Sequence, residues 1–496
     1  CEEDMFNSRL IKILQAFTPG ELKEFRKFIE TPFFNKEGSY LLRFFDEVKK
    51  YYPGFTDAEL EKGNLFKKLY KGKEFSDATM RKLSSGIIKL AEQFLRYKAF
   101  TENTDAAELL YIQKLREKRI EKLFESESAA LEKKLSVLEN SVDLDYFRNR
   151  YKLELEKINF YLDFNHMIKK QQESLQAVQG YLVYDSLLNL LDIGFNILVG
   201  STTMYKGEEN TVLELLQRTD LEGFGRILEK NTPGLFPVYE LFYRRYLSFL
   251  NIEEDESYYR YKEAALRSLS YFTWENQFTI FVSLQNICTR KFVEGKRYFS
   301  AELHEVHKEM LGRGLYVQKK GDYMNLHTYR NIVLTAFNLV KPEWISDFME
   351  QYIDRILPEQ RESLGAWTRA QIHYCRKEYG DAIKELQSVK NDHFLSKHEI
   401  KTMTMKMFYE LKDFEPAISF ADSYRHMITN DKTFAVLHRN SYTNFCLFYT
   451  RLIRIVTSNF ESPKRSEELH FLKSEITRAA TNSKEWLLAK IEELNG

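Results

Sequence analysis

An all-α chain, a helical-hairpin solenoid preceded by an N-terminal helical module, is the fold this sequence predicts, and three observations carry the expectation. The 496 residues hold only 9 Pro and 20 Gly, and no run of β-branched residues alternates with polar ones as a half-buried strand would. Apolar residues recur at helical spacing in paired segments joined by short links, which turn each helix back on the one before it. Trp344, Tyr379 and Phe414 stand 35 positions apart, and the last two open similar phrases, Tyr379-Gly380-Asp381-Ala382-Ile383 and Phe414-Glu415-Pro416-Ala417-Ile418. A period of that size marks hairpin arrays, whose units cannot bury their apolar faces alone and therefore stack.

Single cores stop growing at roughly 250 to 300 residues, so a chain of this length needs more than one. Three regions are expected: an N-terminal helical module over 1–102, a long-helix region over 103–232, and a hairpin array with capping helices over 233–496. In the first, Thr18-Pro19-Gly20-Glu21 and Thr56-Asp57-Ala58-Glu59 read as capping boxes, a hydroxyl three residues ahead of a Glu that returns the bond. The segment from Asp77 to Lys98 places Met80, Leu83, Ile87, Leu90 and Phe94 on one apolar stripe. In the second region a long charged helix is expected from about Asp105 to Glu139, and another from Asp143.

Tyr181 to Gly200 is the most apolar stretch and about one bilayer long. Asp185, Asn189, Asp192 and Asn196 fall on one stripe of it, which predicts an amphipathic helix in a soluble bundle and no transmembrane segment. Asn231-Thr232-Pro233-Gly234 is a turn by composition. Hairpins follow, pairing 236–251 with 256–271, 275–294 with 298–313, 325–340 with 342–356, 361–377 with 380–390, and 397–411 with 414–428, with one longer loop near Gly312 to Asp322. Ser396 and Asn482 begin further capping boxes, and Pro342, Pro358 and Pro463 suit first turns. A closing helix from Lys484 to Leu494 would keep Lys484, Glu485, Lys490 and Glu493 on its wetted side.

Ala370-Gln371-Ile372-His373-Tyr374, followed by the Tyr379 phrase and Leu386, resembles a tetratricopeptide repeat, and the unit with Met405, Phe408, Tyr409, Leu411, Phe414, Ala417, Ile418 and Ala421 is similar. The resemblance covers about 326 to 428, with Asp347 standing where the Trp344 unit should carry its small residue. It implies that the first helix of each unit lines a concave groove, putting Trp367, Gln371 and Tyr374 there in one unit and Thr402, Lys406 and Tyr409 in the next. Such a mix of aromatic and hydrogen-bonding groups suits a protein or peptide partner, while core packing is the plainer reading of Trp367 and Tyr374.

The chain carries no catalytic signature. It holds no phosphate-cradling glycine loop, no nucleophile elbow and no calcium loop, so no enzymatic activity and no cofactor are expected. His304-Glu305-Val306-His307 sets its histidines three apart, where a zinc-protease helix needs four, and reads as a solvated helix face with no metal. Cys288, Cys375 and Cys446 lie in apolar surroundings as structural thiols, and their scatter fits a reducing, cytoplasmic setting. Glu253 to Glu256 favours the start of the next helix through its dipole.

Two alternatives stand beside the scaffold reading. Cys1-Glu2-Glu3-Asp4 resembles the start of a mature bacterial lipoprotein, which would be anchored through Cys1. Lys and Arg balance Asp and Glu at 73 each, so nucleic-acid binding would have to be local. Phe66 to Tyr70 and the following helix resemble the helical half of a winged-helix domain, fused in some bacterial transcription regulators to tetratricopeptide arrays, and Arg81, Lys82, Lys89 and Arg96 would then track DNA phosphates.

Overall fold

A computed structural model describes residues 9–36, 38–55, 60–137, 142, 144–163, 168–201, 210–389, 397–430, 436–459 and 461–495. Cys1, the Thr56 to Glu59 box and Ser396 lie outside the described residues. Among the described residues the chain is all-helical, with 24 α-helices packed against their neighbours and no strand, only an isolated bridge between Val142 and Phe272. It divides into two compact units, Cys1–Glu139 with Leu144–Ser186, and Asn140–Asp143 with Leu187–Gly496.

In the first unit the capping box forms as expected: Thr18 Oγ1 accepts from the Glu21 amide at 3.2 Å, and Glu21 Oε2 accepts from the Thr18 amide at 2.8 Å, starting the helix Pro19–Glu30. The stripe on the helix Asp77–Glu102 is buried throughout and meets an aromatic cluster in which Phe25 contacts Phe17, Phe45 and Phe94 at 5.2 to 5.5 Å. The single long helix expected after Asp105 is two, Thr104–Glu117 and Glu121–Val137. Arg119 turns left-handed between them at φ 55°, and the amides of Arg119 and Ile120 close the first helix onto the carbonyls of Arg116 and Leu115. Charge density alone gave no sign of that stop.

Ile168–Gly200 is long and apolar enough to cross a bilayer, with a third of its most apolar window buried. Its polar stripe is nonetheless engaged. In the second unit Asp192 pairs with the buried Arg245, whose guanidinium also lies 4.8 Å from the Phe195 ring and 4.6 Å from Phe242.

The second unit contains the expected hairpins: Phe236–Leu250 with Asp255–Ser268, Trp274–Val293 with Phe299–Gly312, Leu326–Asn338 with Pro342–Tyr352, Pro358–Cys375 with Tyr379–Ser388, and Lys397–Glu410 with Phe414–Asn430. Val436–Thr457, Ser462–Arg478 and Lys484–Asn495 follow. In the closing helix Lys490 is not wetted: its side chain is 13% exposed and bridges Glu410 and Glu493, each at 2.8 Å.

The last three hairpins end their first helices in one way. Val340, Lys377 and Lys412 turn left-handed at φ 52°, 65° and 58°, at about 1 kcal/mol each for a residue with a Cβ. The next amides, of Lys341, Glu378 and Asp413, reach back to the carbonyls of Ala336, His373 and Phe408 at 3.1, 2.9 and 3.0 Å. These caps are 37 and then 35 residues apart, so the shared spacing of Trp344 with Tyr379 is off by two. The residue matching Ala382 and Ala417 is Ile345, whose amide makes the same 3.1 Å bond into the cap, and all three are fully buried. Asp347, expected at that position, is exposed.

Candidate functional site

Equivalent positions on three first helices converge. Measured from the caps, Arg330, Leu334 and Phe337 correspond to Trp367, Gln371 and Tyr374, and these to Thr402, Lys406 and Tyr409. An open cleft of about 440 Å³ is lined by seven of these and other residues, including Gln371, Tyr374, Thr402 and Lys406 from the sequence-based set. Tyr442 and Trp486 from the closing helices, with Asn482 and Ser483 from the turn before the last of them, complete its wall.

The other two expected groove residues lie elsewhere. Trp367 is 1% exposed and belongs to the core, because its helix is covered by neighbours on that side. Tyr409 is half-buried against Trp486, with ring centres 5.2 Å apart, and burial pushes its hydroxyl up to about 12. Arg330 and Trp486 join the cleft without having been expected. Arg330 stands 37 residues before Trp367, a step set by the caps and hidden by the 35-residue aromatic spacing, whereas Trp486 lies outside the three matched helices.

The cleft is rich in donors. Lys406, half-buried, makes no hydrogen bond or ion pair among the described residues. Burial lowers its ammonium to about 8, against an opposing pull from the Glu399 charge. Glu399 is itself taken by Arg330, whose Nε is buried without a partner. The Trp486 indole lies beside the Tyr374 hydroxyl, which burial holds above its ordinary range. Among the described residues the Gln371 amide has only a thioether acceptor, Met403 Sδ at 3.1 Å, a weak bond. With Arg330 and Glu399 cancelling, Lys406 leaves one positive charge among the described lining residues, walled by Phe337, Tyr374, Tyr442 and Trp486.

Most of the other groups singled out in the sequence are buried or already engaged. His304 and His307 are not on a solvated face; each is 1% exposed, His304 packs 4.6 Å from the Trp344 ring, and burial lowers the pair to about 4 and about 3. Among the described residues no three His, Cys, Asp or Glu cluster as metal ligands. Burial raises the thiols of Cys288 and Cys446 to about 12 and of half-buried Cys375 to about 11, so none is a ready thiolate. Asp255, at the head of its helix, would be raised by burial, but bonds from Lys296 at 2.7 Å, Tyr298 and Lys291 at 3.0 Å hold it at about 2. Of the four cations considered for DNA, Arg81 is bound by Asp77, while Lys82, Lys89 and Arg96 are exposed at seven-residue steps along one face.

No family model, curated protein or solved structure matches this chain.

Proposed function

We propose that this protein is a non-enzymatic scaffold, a tetratricopeptide-like helical solenoid that holds a protein or peptide partner on the first-helix face of its C-terminal hairpins. The observation that carries the reading is the convergence of Gln371, Tyr374, Thr402 and Lys406, from successive hairpins, on one open cleft with an unpaired ammonium. The three matching helix caps support a repeat register. An unpaired ammonium beside aromatic walls favours a partner that brings an acidic group next to an apolar one. A reducing, cytoplasmic setting suits the three free thiols of the described residues.

The test is affinity capture by the full chain from its native cell, comparing wild type with Lys406→Glu and Gln371→Ala. Capture should fall at least about tenfold in Lys406→Glu, as expected for reversing a charge at an interface, with helicity retained. Equal capture by all three proteins would overturn the reading. DNA binding through the N-terminal module has weaker support, because Asp77 occupies Arg81.

A further inference from the structure

The helix Asp77–Glu102 of the first unit carries a groove of about 750 Å³. Its floor is apolar: Leu41 and Leu90 are buried, and at Gly86 a Cβ would come within 2.7 Å of a Leu41 methyl, so only glycine leaves that floor undisturbed. Its walls hold aromatic surface in water, with Phe33 80% and Phe100 47% exposed. Single exposed aromatics are ordinary, but several around one concave apolar floor mark a surface built to be covered.

The rim sets the sign of the occupant. Lys89 and Arg96 are exposed, seven residues apart on one face, and make no hydrogen bond or ion pair among the described residues. Seven residues span about 10.5 Å, two turns of helix. The carboxylate nearest in sequence, Glu92, is held by Arg9 at 2.6 Å, and Glu24 is spent on Lys98 at 3.0 Å.

We propose that this groove docks an amphipathic helix of a partner protein whose carboxylates, seven residues apart, pair with Lys89 and Arg96 while apolar side chains between and just beyond them cover the floor at Leu90 and Gly86. A helix satisfies both features at once, since residues two turns apart share a face with those between them. A phosphodiester backbone would meet the two cations but leave the leucine floor wet. The surface lies in the first unit and owes nothing to the C-terminal cleft.

The probe is a labelled helical peptide of about 18 residues, five turns, with a leucine seam and two Glu seven apart on that face, titrated against the full chain by fluorescence anisotropy. Wild type should bind it, and Lys89→Glu with Arg96→Glu should weaken binding at least about tenfold. The same peptide with Lys in place of its two Glu should recover affinity for that double variant, which a folding defect would not allow. The proposal falls if wild type ignores the acidic peptide, if the double variant binds it unchanged, if the swapped peptide gives no recovery, or if a single-stranded oligonucleotide displaces it.

Discussion

Replacing Lys406 with methionine should stabilise the protein while abolishing what its cleft does. An ammonium that loses its proton at about 8 instead of 10.5 is held against an opposing free energy of at most about 3.4 kcal/mol. Because Lys406 is only half-buried, solvent reaches part of it, and about 2 kcal/mol is the fairer figure. The sign follows from proton binding. Between about pH 8 and 10.5 the unfolded chain holds a proton that the folded chain has shed, so raising the pH favours folding. Below pH 8 both states are charged and the burial cost is borne in full. Methionine keeps the straight apolar stem and removes the charge. Urea denaturation followed by circular dichroism should therefore show Lys406→Met more stable than wild type by about 2 kcal/mol at pH 7, with the gap closing by pH 10.5. Equal stability at pH 7, or a gap that does not change with pH, would refute the account of Lys406 as an uncompensated charge held for binding.

Four further outcomes are expected. Asp255→Asn should cost about 3 kcal/mol in the same assay, because it strips the counter-charge from Lys291, which is fully buried. Stability should decline as pH falls below 6.5, by about 1.4 kcal/mol per pH unit for each of His304 and His307 until they protonate near 4 and 3, and His307→Leu should flatten that decline. Ile345→Ala should cost about 2 to 4 kcal/mol while Asp347→Ala changes stability by less than about 0.5, as read by thermal melts; the reverse order would refute the cap register. Tyr409→Ala should lower the melting temperature, because the ring packs on Trp486, whereas Lys406→Met should not.

Much of the fold was legible because it rests on local rules. The Thr18 box, the prolines at 342, 358 and 463, and the apolar stripe from Met80 to Phe94 follow from capping and periodicity, and each lies where those rules put it. The break at Arg119 was not legible, since a left-handed arginine leaves no compositional trace. The cleft was legible in part for a related reason. Aromatic spacing aligned Trp344 with Tyr379, yet the backbone aligns Pro342 with Tyr379, and that two-residue slip hid Arg330 and Phe337 while pointing to Asp347. His304 and His307 read as solvated because His and Glu commonly share wet faces; packing against Trp344 is a tertiary fact that no local pattern carries. Trp486 reaches the cleft from the closing helices, more than a hundred residues from Tyr374, a contact that only the fold provides.

Site-specific photo-crosslinking tests the central claim most directly. A benzophenone amino acid replacing Tyr374, on the cleft wall, should join the full chain to its partner, and Lys406→Glu in the same chain should abolish the adduct. The same probe at Phe471, 57% exposed and away from the cleft lining, should give none. Equal crosslinking from both positions, or an adduct at Tyr374 that survives Lys406→Glu, would contradict the assignment of this cleft as the partner site.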